Sequence, residues 1–210
     1  MQALRLSAGF GGLLFVIAFL IIGAATPGYD SLHETISGLE FTRYGALQRA
    51  NFLVFGILLF VFAEALRRQL RGGWTSIIIP LFQATSALGV TGDALFAGPP
   101  LHLICDLLAF NSALIVVFAF AFRFRGDPAW KGWAAYSAIT GLLMMACLTA
   151  FGVLNHNGGC AGAMEKLATL TRTIWSAALV WKLLSQIGRQ PSLSNFDASG
   201  FAAQSKSKKA

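Results

Sequence analysis

Few polar side chains in this chain could carry chemistry, and several of them fall inside long apolar runs. His102 and Asp106 stand four residues apart, so on a helix they share a face. Asp93 lies in the preceding apolar run and Arg172 in the last one. There are only three histidines, His33, His102 and His156. Imidazoles beside carboxylates form a ligand set for a divalent metal, and zinc held this way keeps an open position for catalysis. Metal candidates are His33, His102, His156, Asp93 and Asp106. No pair shows HxxxH or HExxH spacing, so a metal centre here depends on convergence in space.

The same residues admit a second chemistry. Arg172 is expected to bridge Asp93 and Asp106 bidentately. With Asp30 and His33 above them, this makes a pocket for a small polar ligand or a lipid headgroup. The ligand-binding candidates are Asp93, His102, Asp106, Arg172, Asp30 and His33. A third reading is a buried polar network that only locks helix packing. Spacing assigns no catalytic residue and no cofactor.

These residues must be positioned by membrane helices. Apolar runs lie at about 7–25, 46–65, 74–97, 101–122, 133–153 and 167–187, each near the roughly 20 residues that cross a bilayer as helix. Apolar residues make up 56% of the chain and charged residues 12%, about half the charged share of a soluble domain. In lipid the backbone must satisfy itself, so the runs are helices and not strands. The first run exceeds the h-region of a signal peptide, and its Gly23-Ala24-Ala25 is read as helix, not as a cleavage site.

Basic residues alternate along the chain. Arg5 precedes the first run; Arg67, Arg68 and Arg71 follow the second; Arg123, Arg125 and Lys131 follow the fourth. Lys182, Arg189, Lys206, Lys208 and Lys209 close the sixth or follow it. Twelve of the sixteen Lys and Arg thus lie on one side, which predicts cytoplasmic N- and C-termini. The net charge of +7 is then a topology and headgroup signal. The expected partners are membrane lipids and not nucleic acid; protein partners are left open. This orientation puts all three histidines, Asp93, Asp106 and Arg172 toward one face, with Gln48, Arg49 and Asn51 opening the second helix there. Gln83, Ser86 and Asp93 form a stripe on the third helix, and Thr169, Arg172, Thr173 and Ser176 form one on the sixth. Cys105 and Cys160 fall on this side and can pair if the exterior is oxidising; small buried apolar roles are the alternative.

The first outer loop, 26–45, holds the densest pattern, with Pro27-Gly28 as a turn where the first helix ends. Asp30 or Ser31 is expected to cap a short helix bearing Leu32, Ile36 and Leu39 on one side, a lid over the bundle. Ser31 and Ser37 are possible nucleophiles, but neighbours one or two residues away on a helix form no triad.

Tyr29, Ser31, Leu32, His33, Ile36, Ser37 and Leu39 resemble the Tyr-Ser-His-Leu…Ile-Ser-Glu-Leu-Gly motif of the DUF998 family of prokaryotic membrane proteins. Here the order is Ser-Leu-His, and Gly38-Leu39-Glu40 stands in place of Glu-Leu-Gly. Gly92-Asp93…Phe96…His102 is also similar. The resemblance spans roughly residues 8–187; it implies a six-helix bundle and no particular reaction. A likeness to intramembrane zinc hydrolases is weaker, because they have seven spans and an HxxxH, and nothing is carried over from them.

The expectation is therefore an all-α polytopic membrane protein. Residues 1–189 form a six-transmembrane-helix bundle, and 190–210 form a disordered basic tail. Its setting is a prokaryotic cytoplasmic membrane. Its function is binding at an outward-opening polar pocket; the alternatives are a metal-dependent intramembrane hydrolase, a small-solute transporter and a structural scaffold.

Overall fold

A computed structural model describes residues 1–187; the basic tail expected from 190 onward lies outside the described residues. The described residues are mostly helical, with no strand among them. The first span runs as α1 (Gln2–Ser7), a 3-10 turn (Ala8–Phe10) and α2 (Gly11–Ala25). It is followed by α3 (Gly45–Gln69), α4 (Thr75–Leu95), α5 (Leu101–Arg123), α6 (Trp133–Asn157) and α7 (Ala161–Ile187). Five of these six spans are long and apolar enough to cross a membrane. The sixth, α7, carries Glu165, Lys166, Arg172 and Lys182, which lower its apolar character. The chain is a multi-pass helical membrane bundle.

The spans close into a ring: α2 packs on α3, α3 on α4, α4 on α5, α5 on α6, α6 on α7, and α7 returns to α2. One end of the ring is built from basic turns. The Arg123 guanidinium donates to the Arg71 carbonyl at 2.9 Å and to Thr75 Oγ1 at 2.8 Å, tying two of these turns together. Glu64 accepts from Arg67 Nε at 2.6 Å, the pairing its helical spacing predicts. Trp130 is buried at this end, stacked on Phe124 with ring centroids 3.9 Å apart. It belongs to the core, with Phe120, Met144, Trp175 and Leu179 as neighbours.

At the opposite end, residues 26–44 cover the bundle. The expected lid helix is not there: the segment is a series of turns ending in a 3-10 turn, Ser37–Phe41. Ile36 and Leu39 face the core, but Leu32 is exposed, because Asp30 accepts the Leu32 and Glu34 backbone N–H groups and curls the segment outward. The lid is clamped on α7. The N–H groups of Gly162 and Ala163, which lack partners inside the helix, donate to the carbonyls of His33 and Leu32 at 3.2 and 2.9 Å. Glu165 Oε2 accepts the Ile36 N–H at 2.8 Å, and Lys166 Nζ donates to the Glu34 carbonyl at 2.6 Å.

The close approach that builds the site is between α4 and α5. A Cβ on Gly89 would stand 2.5 Å from the Ala109 nitrogen and 2.6 Å from the Cys105 oxygen. The two backbones touch, as small residues permit between membrane helices. Ser86 Oγ donates across the same seam to the Ala109 carbonyl at 2.9 Å. Asp93, one turn beyond Gly89, is thereby set against the first turns of α5.

Gly89→Ala should force these backbones apart, at an overpacking cost of about 1–3 kcal/mol. Thermal unfolding in detergent is expected to show a Tm several degrees lower than for Ala84→Gly; an unchanged Tm would mean that the seam is not tightly packed.

Candidate functional site

Asp93, His102 and Asp106 come together at the lid end. One ligand atom from each lies within 4.8 Å of the others. His102 Nδ1 is 3.1 Å from the Phe96 carbonyl, an oxygen that can only accept, so the proton resides on Nδ1. This leaves the Nε2 lone pair directed toward Asp106, 3.7 Å from Oδ2. An N–H to carbonyl bond on the far nitrogen is the usual orientation of a metal-ligating histidine. Asp93 is 2% exposed, and its Oδ1 has no hydrogen-bond partner; neither has His102 Nε2. Ligand bonds of about 2.0–2.1 Å at a tetrahedral angle place donor atoms about 3.3–3.4 Å apart. The 3.7 Å separation of His102 Nε2 from Asp106 is within a few tenths of that.

Two further carboxylates border the cluster. Glu40, in the 3-10 turn of the lid, is buried, with both oxygens lacking a hydrogen bond; its nearest cation is Arg49 Nε at 3.7 Å. Burial pushes its carboxyl above the usual range, and nearby Asp106 adds to this, while His102 and Arg49 oppose it. Glu165 is buried near the start of α7, just past its first turn, where it holds Ile36. Periodicity does not reveal either residue, because one lies in a loop and the other in a polar helix start. The available signal is the spacing Ile36, Leu39, Glu40, which places Glu40 on the same inward side as two core residues.

Arg172 reaches the same region but not the expected bridge. Among the described residues no carboxylate oxygen lies within 4.0 Å of it. Its guanidinium donates to Ser86 Oγ at 3.1 Å and lies 5.8 Å from the centre of the Phe55 ring. The seam hydroxyl and the aromatic face hold it to one side of Asp93. Gln83 and Ser86 are buried on the stripe with Asp93, and Thr169 and Thr173 are buried near Arg172, as their spacing predicts. Together Asp93, Asp106, Glu165 and Arg172 border a cavity of about 30 Å³ that Ile36 also lines. That is room for an ion or a water.

The other candidates lie elsewhere. Asp30 and His33 are exposed and turn to each other, Oδ2 to Nδ1 at 2.7 Å, because the inward positions of the lid belong to Ile36, Leu39 and Glu40. The Leu32 N–H and His33 hold the Asp30 carboxyl below the usual range. His33 Nε2 lies 3.8 Å from Cys160 Sγ. Cys105 is buried against Gly92, so the two cysteines do not pair; all three are free thiols. His156 is exposed near the end of α6, on a groove it shares with Asp106.

Glu40 generates a pH prediction. A carboxyl raised in the fold contributes stability fully present below its ordinary value of 4.5 and lost as pH rises through the raised one. Metal-stripped protein should therefore lose thermal stability as pH rises above 4.5 and through the raised value, and Glu40→Gln should flatten part of that loss. An identical pH profile in the variant would contradict the burial of Glu40 as a charge-disfavouring site.

The family description for DUF998, a protein family of unknown function, matches residues 10–182, and the chain belongs to that family. No curated protein and no solved structure matches the chain.

Proposed function

We propose that this DUF998 chain holds a divalent cation between Asp93, His102 and Asp106, and uses it for hydrolytic chemistry on a substrate taken from the membrane. The carrying observations are two buried, unpartnered atoms, Asp93 Oδ1 and His102 Nε2, and the gathering of one ligand atom each from Asp93, His102 and Asp106 within 4.8 Å. Buried polar atoms without partners are costly, and ionisable groups inside a membrane bundle are more so. A cation compensates both. The surroundings agree: the Arg172 guanidinium donates to Ser86 Oγ, and among the described residues no salt bridge joins it to Asp93 or Asp106.

Three protein ligands leave a fourth position for water, the arrangement of catalytic zinc sites. Bound there, the metal would acidify that water. Glu40, buried nearby without a hydrogen bond, is the residue suited to accept its proton. With the basic turns in the cytoplasm, the site lies at the outward end of the bundle. Transport is less favoured, because the basic half of the bundle is filled by Phe62, Leu66, Ile79, Phe120 and Leu179.

Metal analysis of purified protein in detergent tests this. About one transition-metal ion per chain is expected. Asp106→Asn and His102→Gln should each weaken metal affinity at least about 10–100-fold, while His33→Ala and His156→Ala leave it unchanged. Metal-free protein that takes up no zinc, manganese or cobalt on titration would overturn the proposal, as would a loss confined to His33→Ala.

A further inference from the structure

Asp106 borders two spaces. On one side is the small cavity with Asp93 and Arg172. On the other is a groove of about 620 Å³ between α5 and α6, within the usual size range of ligand sites. The walls of the groove are mainly apolar, Leu107, Phe110 and Leu114 from α5 and Met145, Leu148 and Phe151 from α6, with Asn111 and Thr149 among them. Polar groups gather at its lid end, where Thr35, Ser37, Asn155 and His156 surround Asp106. The exposure of the cluster follows this opening: the Asp106 side chain is 28% exposed, His102 12% and Asp93 2%. Of the three, Asp106 is the one that the groove on the flank of the span reaches.

A groove on the flank of a membrane helix faces hydrocarbon, so the molecule that fills it has an acyl-type chain. The chain would lie along Leu114 and Met145, and the region where it joins its head would lie at Asp106. Among the described residues no Lys or Arg lines the groove. A phosphodiester there would find no cationic side chain to pair with its charge. Hydroxyl, ester and amide groups, by contrast, match Thr35, Ser37, Asn155 and His156 as hydrogen-bond partners.

We infer that the α5–α6 groove admits a neutral lipid from the bilayer, one whose chain is joined through an uncharged ester or amide, and presents that linkage to Asp106. The inference rests on the cation reading for what happens to the linkage, but not for the binding of the chain. Attack by a metal-held water would form a new C–O bond at the carbonyl carbon and break the C–O or C–N bond to the head. The water would yield one proton to the leaving group.

Gly152 offers a clean test, because it lines the groove and a Cβ there meets nothing within 4 Å. A larger side chain fills the groove without straining the helix. The protein is reconstituted in nanodiscs with a diazirine-bearing diacylglycerol or a diazirine-bearing phosphatidylglycerol. After irradiation, labelled peptides and metal content are measured in the same samples. The diacylglycerol probe should label residues 103–114 and 145–156 preferentially, and the phosphatidylglycerol probe much less. Gly152→Trp should lower groove labelling about tenfold, the effect of a ring occupying the ligand's place, with metal content retained. Gly152→Ala should label as the parent does. Labelling spread evenly over the lipid-facing helices, or equal for both probes, or untouched by Gly152→Trp, overturns the inference whether or not metal is present. Groove labelling abolished by Gly152→Trp in a chain that binds no metal supports the lipid groove and overturns the cation reading alone.

Discussion

The contact between the α4 and α5 backbones at Gly89 is the constraint on which the site depends. A side chain there would collide with the Ala109 nitrogen and the Cys105 oxygen. With none, the helices close on each other, and Ser86 spans the seam to the Ala109 carbonyl. One turn further along, the seam ends in Asp93, facing His102 and Asp106. Between apolar helices in a bilayer the hydrophobic effect supplies little net attraction, so close packing and interhelical hydrogen bonds must hold the pair together. Here the same packing gathers groups that a membrane interior otherwise disfavours.

The lid completes this arrangement from above. Its carbonyls satisfy the first N–H groups of α7, and Glu165 of α7 holds Ile36 in return. The exchange brings Glu40 down beside the cluster. Asp106 also borders the groove toward α6, whose window is the least buried of the candidate spans.

Much of this is legible in the amino-acid sequence, and the reasons are particular. The alternation of Arg67, Arg68 and Arg71 with Arg123, Arg125 and Lys131 assigns helix ends to two faces, and that alone puts Asp93, His102 and Asp106 at one level. Four-residue spacing then aligns His102 with Asp106. The burial of Gln83, Ser86 and Asp93 follows from their helical stripe. What periodicity cannot supply is the direction of side chains in irregular segments. Glu40 faces inward from a 3-10 turn, while Asp30 and His33 satisfy each other at the surface. Arg172 lies at the expected depth, but its partner is a hydroxyl on the α4–α5 seam and not a carboxylate. Charge signs alone do not reveal that preference. Equally unreadable is the Phe96 carbonyl that fixes the His102 ring, since it depends on the path of a short connection between α4 and α5.

The central claim is that Asp93, His102 and Asp106 hold one divalent cation. It is tested most directly by anomalous X-ray scattering from crystals of the zinc-loaded protein, collected on both sides of the zinc absorption edge. The account predicts a single strong anomalous peak about 2.0–2.2 Å from His102 Nε2 and from a carboxylate oxygen of each aspartate. A loaded crystal with no peak there, or with its peak at His33 and Cys160 instead, would contradict it.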